Sequence, residues 1–211
     1  MAQNDYQKFL ETVSRIDKSK RPSLLLHVCC APCSTACLEV LNQYFEITVF
    51  YYNPNIAPFS EYQKRLAEEQ RFLEQVYPNI RVVEVGYENN KFEELAKGLE
   101  SLAEGGERCK KCYKLRLLKT AEYAKQNGYD YFTTTLTVSP YKNSKVLNQI
   151  GREIANEIGI EYLTSDFKKN DGYKRSIILS NKLDLYRQDY CGCQYSKQAR
   201  ERLKLNKKGE D

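Results

Sequence analysis

The chain has 211 residues, of which 41% are hydrophobic and 29% charged, with 33 Lys+Arg against 28 Asp+Glu for a net charge of +5. This composition excludes a disordered or fibrous chain and suits one α/β domain over residues 1–211, while the modest positive charge permits a nucleic-acid partner without demanding one. Apolar runs such as Leu24-Leu25-Leu26 are too short to cross a bilayer, and the start Met1-Ala2-Gln3-Asn4-Asp5 lacks the basic and apolar stretches of an export signal, so a cytoplasmic protein with no membrane partner is expected.

Phe9, Leu10, Val13 and Ile16 recur at helical spacing and predict a helix over Asp5–Lys18. Leu24–Val28 reads as a buried strand, followed by a helix capped at Ser34 and running to about Gln43. A second strand covers Glu46–Tyr52, the prolines at 54 and 58 form a loop, and a long polar helix runs from Ser60 to Val76. Ile80–Val85 predicts a third strand, Phe92–Leu99 a helix ended before Gly105-Gly106, and Lys110–Gln126 a helix stopped by Gly128. Tyr131–Thr134 is a fourth strand, Asn143–Ile158 a helix closed by Gly159, and Ile160–Leu163 a short fifth strand. Strands alternating with helices of this length imply a parallel sheet flanked by helices on both faces. From about residue 166 to 211 the pattern turns irregular, then basic and helical, as in a C-terminal lid or annex.

Eight cysteines and one histidine, His27, stand in this chain. In a reducing compartment such cysteines point to metal or redox chemistry rather than structural disulfides, and a site built mainly on imidazole is excluded. Cys29, Cys30 and Cys33 follow the first strand, at the carboxyl edge where open α/β sheets bind ligands. Cys109 and Cys112 stand one helical turn apart and can grip one metal or cluster, with Cys29 and Cys30 as the second pair. On spacing alone, a structural zinc and an iron–sulfur cluster both satisfy four such thiolates. Gly192 lets Cys191 and Cys193 turn toward one point, as a readily reduced disulfide or a chelating pair. Cys37 reads as a small buried hydrophobe.

Other segments are candidate substrate contacts. Asn53 and Asn55 follow the second strand, and Thr134 and Thr135 follow the fourth, where amides and hydroxyls can hold a sugar or phosphate. Lys174 and Arg175 end a stretch from Asp166 that mixes basic and aromatic residues, as phosphate contact with base stacking requires. The terminal run Lys197, Arg200, Arg202, Lys204, Lys207 and Lys208 reads as a solvated helix face.

Five segments together resemble the epoxyqueuosine reductases of the QueH type, which complete queuosine formation in tRNA. They are His27-Val28-Cys29-Cys30-Ala31-Pro32-Cys33, Phe50–Ile56, Arg108–Tyr113, Phe132–Thr137 and Tyr186–Cys193, spanning Leu24 to Ser196. The resemblance implies a HUP-type, Rossmann-like fold akin to PP-loop enzymes. The cysteine-rich loop occupies the place of their Ser-Gly-Gly signature, so no ATP use is expected. It further implies a 4Fe–4S cluster on Cys29, Cys30, Cys109 and Cys112, and a redox-active disulfide between Cys191 and Cys193. An additional iron ion is also implied, with Cys33 and either Cys191 or Cys193 as its ligands.

The expected reaction is the two-electron deoxygenation of the cyclopentane epoxide to an alkene and water. One 4Fe–4S cluster passes electrons singly, so the Cys191/Cys193 dithiol or a second iron must complete the pair. No Gly-x-Gly-x-x-Gly fingerprint occurs, so reducing equivalents come from an external donor. Tyr113, Tyr190 and Tyr195 flank cysteines and are candidate proton donors. Two rival functions are a zinc-binding tRNA-associated module without catalysis and a thiol–disulfide oxidoreductase.

Overall fold

Leu24, Leu25 and Leu26 are all fully buried, as consecutive strand residues must be when helices cover both faces of their sheet. The structure is a computed structural model describing residues 4–208, with side chains described as far as residue 205. Met1, Ala2 and Gln3 of the expected signal-free start, and the side chains of Lys207 and Lys208, lie outside the described residues.

Five strands form one sheet: β1 (Ser23–His27), β2 (Glu46–Tyr51), β3 (Val82–Glu84), β4 (Tyr131–Thr134) and β5 (Glu161–Tyr162). Their order is β3-β2-β1-β4-β5, and every pairing is parallel, with Leu25 opposite Thr48 on one side and Phe132 on the other. β3 and β5 are shorter than their sequence patterns suggest, because the edges pair on one side only. The helices are α1 (Asp5–Ser14), α2 (Ala31–Leu41), α3 (Phe59–Val76), α4 (Asn89–Ala96), α5 (Glu107–Gln126), α6 (Ser144–Ile158), α7 (Gly172–Lys182) and α8 (Gln194–Lys208). None of the described helices is long and apolar enough to cross a membrane.

Alternate residues of β1 feed two cores. Leu24 and Leu26 pack with Leu38 and Leu41 of α2 and Phe72 of α3, whereas Leu25 packs with Leu117 and Ala121 of α5 and Leu147 of α6. α6 lies so close to β5 that a Cβ on Gly151 would sit 2.4 Å from the Tyr162 ring. The chain runs outward from β1 through β2 to β3, then returns to the far side of β1 for β4 and β5. That reversal opens a crevice beyond the carboxyl ends of β1 and β4.

Two helix starts differ from the sequence pattern. α2 begins at Ala31, with Cys30 in the cap position and Pro32 in the first turn, because proline presets the helical φ where no N–H partner is needed. Ser34, expected as the cap, instead bonds Ala31 O and the Glu69 carboxylate, each at 2.9 Å. α5 begins at Glu107, which brings Cys109 into its first turn. α7 forms where irregular chain was expected. Its buried positions are Ser176 and Ser180, whose hydroxyls bond carbonyls one turn back, so no apolar stripe marks it.

Candidate metal and redox site

β1 delivers Cys29 and Cys30 to the crevice, and the first turn of α2 returns Cys33 beside them. The three sulfurs lie within 4.8 Å of one another, with Cys29 and Cys30 at 3.8 Å. Backbone N–H groups at this helix start favour thiolate. Hydrogen bonds from Cys30 and Cys33 hold the Cys29 thiol well below its ordinary range, with Arg116 and Lys142 adding to the effect. Cys30 is pushed up to about 12 by its hydrogen bond to Cys29 and by burial, and Cys33 is pushed up for the same reasons. One member of this triad therefore carries the charge first.

Cys109 and Cys112 face inward from α5. Cys109 accepts a hydrogen bond from Gly105 N at 3.3 Å, and burial pushes Cys112 up to about 12. The turn before α8 brings Cys191 and Cys193 against them, so these four cysteines line one cleft with Asn55 and Phe92. Cys193 immediately precedes α8, and its sulfur accepts from Ser196 N in the first turn at 3.4 Å. Gly192 has φ +130°, its carbonyl accepts from Ala57 N at 3.0 Å, and the Cys191 carbonyl accepts from Arg65 Nη1 at 3.1 Å. None of the eight cysteines is bridged in this structure, Cys191 and Cys193 included. Cys191 also lines a second, solvent-open cavity of about 450 Å³ together with Cys29, Cys33 and Lys142. It thereby joins the two cysteine groups.

Buried cations surround the sulfurs. Arg65 of α3 donates to Glu61 at 2.7 Å, and Arg116 of α5 donates to Asn53 Oδ1 at 2.6 Å and to His27 Nε2 at 3.3 Å. His27 Nε2 also lies 3.2 Å from the Tyr52 carbonyl, and Nδ1 lies 2.8 Å from Thr134 Oγ1, so both ring nitrogens are engaged. Burial, with the Arg116 charge, lowers His27 to about 3, so the ring is neutral. Several buried polar atoms here have no partner among the described residues: Arg65 Nη2, Arg108 Nε, Asn55 Oδ1 and Gln188 Oε1. Such orphans next to soft sulfur donors and offsetting positive charge fit a thiolate-bound metal group, whose net charge and acceptor atoms they would meet.

The structure brings Cys29, Cys30, Cys33, Cys109, Cys112, Cys191 and Cys193 to one region and leaves Cys37 in the core beneath α2. The other candidates divide. Asn55 lines the cysteine cleft, but Asn53 is fully buried and spends its side chain on Val28 O and Arg116. Thr134 is likewise fully buried, bonded to His27 and to Leu136 N, and Thr135 is buried beside it. Lys174 and Arg175 stand apart from the cysteines, in a groove with Tyr6 and Phe9, and Arg175 pairs with Glu39 at 2.6 Å. Of the three tyrosines, Tyr113 lines the cleft, Tyr190 lines the open cavity, and Tyr195 packs under Arg108. Arg65, Glu69, Arg116 and Lys142 were not foreseen. The first three sit on the buried stripes of α3 and α5, and a charge at such a helical position is a readable signal; Lys142 lies in a loop and carries none.

A family model described as "Epoxyqueuosine reductase QueH" matches residues 24–199. A Streptococcus pyogenes serotype M1 protein named "Epoxyqueuosine reductase QueH" is 42% identical over 198 residues, covering 91% of this chain and 78% of its own. A Staphylococcus epidermidis protein of the same name is also 42% identical, over 91% of this chain and 84% of its own. One from Thermotoga maritima is 36% identical, over 82% of this chain and 90% of its own.

Proposed function

The chain belongs to the epoxyqueuosine reductase QueH family, and on that premise we propose that it deoxygenates epoxyqueuosine in tRNA to queuosine at the carboxyl edge of its sheet. The observation that carries this reading is the convergence of seven cysteines on one region, six of them lining two joined cavities, beside buried cations. Cys29, Cys30, Cys109 and Cys112 would hold a 4Fe–4S cluster, and Cys191 and Cys193 would serve either as a redox dithiol or, one of them with Cys33, as ligands of an additional iron. Such a cluster supplies electrons one at a time.

The chain's own residues do the rest. Arg65 and Arg116 offset thiolate charge that burial would otherwise penalise. Cys191 and Cys193 can give up two electrons and two protons to form a disulfide. That matches what the epoxide takes up in becoming an alkene and water, and an external donor then restores the dithiol. The open cavity admits a nucleoside, with Tyr173, Tyr190 and the exposed Tyr141 offering ring faces to bases. The protein works in the cytoplasm, without ATP.

The test is anaerobic purification with iron and sulfide analysis and a visible spectrum, followed by epoxide reduction by Cys109→Ser and Cys191→Ser. Both variants are expected to lose turnover, and only Cys109→Ser to lose the chromophore. A colourless zinc protein that resists iron–sulfide reconstitution would overturn the reading in favour of a zinc-binding module. Full activity of Cys109→Ser with loss in Cys191→Ser would point to a thiol–disulfide oxidoreductase.

A further inference from the structure

The buried cations around the cysteines are not equivalent. Arg65 is tied to Glu61 and the Cys191 carbonyl, Arg116 to Asn53 and His27, and Arg108 to the carbonyls of Leu99 and Glu100. Lys142 is only 9% exposed, yet its ammonium has neither a carboxylate nor a hydrogen-bond acceptor among the described residues. Its titratable neighbours are the sulfurs of Cys191, Cys29 and Cys33 and the Tyr113 phenol.

With its stem buried and no acceptor from the protein, this ammonium is left to meet whatever enters the cavity. Its place in the chain agrees, since Lys142 follows the short 3₁₀ turn Thr135–Val138 at the carboxyl end of β4, on the switch-point crevice. It lines the open 450 Å³ cavity with Cys29, Cys33 and Cys191, whereas Arg65 and Arg116 do not. Arg65 and Arg116 stand behind the sulfurs; Lys142 stands where a substrate enters.

We propose that Lys142 is a catalytic residue whose ammonium donates a hydrogen bond to the epoxide oxygen and holds that oxygen as the C–O bonds break. This rests on the reading above that the cavity receives epoxyqueuosine. The reaction consumes two electrons and two protons and yields the alkene and water. The electrons come through the cysteine site from an external reductant, and the protons come from solvent through the open cavity. When the first C–O bond breaks, the oxygen becomes an alkoxide. Lys142 donates to it while keeping its own proton, and cleavage of the second bond releases the oxygen as water. A preorganised donor at a developing oxyanion strengthens as charge accumulates, which is how such groups accelerate a step.

The experiment uses the full chain, reconstituted anaerobically, as wild type, Lys142→Met and Lys142→Arg. Affinity is measured without reductant for a tRNA carrying epoxyqueuosine and for the same tRNA carrying queuosine. Turnover is measured with dithionite, and iron content and visible spectrum are recorded for each protein. Wild type is expected to bind the epoxide form roughly 10-fold tighter than the alkene form, as a charged hydrogen bond to one oxygen provides. Lys142→Met is expected to bind both forms equally and to lose about 10²-fold in kcat with unchanged iron and spectrum, and Lys142→Arg to regain part of the preference. Wild type that turns over yet shows no preference overturns the proposal, even if Lys142→Met does not fold. So does a Lys142→Met protein that keeps the preference, or one that loses iron, which would make Lys142 a counter-charge to the thiolates. Wild type with full iron and no turnover at all would instead sink the reductase reading.

Discussion

Replacing Gly192 by alanine perturbs the Cys-Gly-Cys turn without touching a sulfur. The φ of +130° is one that side chains rarely adopt, and holding alanine there costs about 1–3 kcal/mol. The new Cβ would also sit 2.9 Å from Ile56 Cγ1 and 3.1 Å from Arg65 Nη1. Relief requires the turn to shift, which lengthens the 3.0 Å bond from Ala57 N to the Gly192 carbonyl and the 3.1 Å bond from Arg65 to the Cys191 carbonyl. Weakening the charge-assisted bond adds about 1–2 kcal/mol. A total of about 2–5 kcal/mol, at roughly 2–4 °C per kcal/mol for a chain of this size, lowers Tm by roughly 5–20 °C. Gly128→Ala is the control, because Gly128 has φ +70° and nothing within 4 Å of its Cβ position. Its cost is the left-handed backbone alone, about 1–2 kcal/mol. Circular-dichroism melts and an epoxide-reduction assay on both variants decide the matter. Gly192→Ala should melt well below Gly128→Ala and lose most turnover, while Gly128→Ala keeps it. Equal melting shifts, or full turnover in Gly192→Ala, would refute the claim that this turn is held in place by its two carbonyls.

Two predictions concern pH. Burial raises the Glu69 carboxyl to about 8, so the native chain keeps a proton there that the unfolded chain releases above about 4.3. That contribution to stability is full at low pH and is lost as pH rises from there through 8, and Glu69→Gln should flatten the slope in urea melts between pH 5 and 8. Parallel profiles for the two proteins would count against it. His27 has the opposite shift, down to about 3 through burial and Arg116, so it stays neutral across pH 5–8. Being the one histidine in the chain, its ring resonances are identified without assignment and should not move over that range; a midpoint near 6.5 would contradict the buried site.

β1, β2 and β4 were legible from local pattern because each is a short apolar run whose neighbours are turns, and the alternation with helices then implied the parallel sheet. The cysteines followed from chain order: residues directly after β1 must lie at its carboxyl edge. α7 escaped detection because its buried face is made of Ser176 and Ser180 rather than aliphatic side chains. The start of α2 was misplaced because Ser34 resembles a cap, while Pro32 begins the helix earlier.

The polar residues were divided by distant partners. Asn53 and Thr134 have the chemistry to bind a sugar, but Arg116, 63 residues from Asn53, and His27, 107 residues from Thr134, already occupy them. Arg65 meets the Cys191 carbonyl across 126 residues of sequence. Local periodicity places charged residues at the surface, and only the closed fold, by bringing thiols and carbonyls together, makes Arg65, Arg116 and Lys142 parts of the site. The residue types at the edge of the sheet came from the sequence. Which of them remain available to a substrate depends on hydrogen bonds that exist only once the chain has folded.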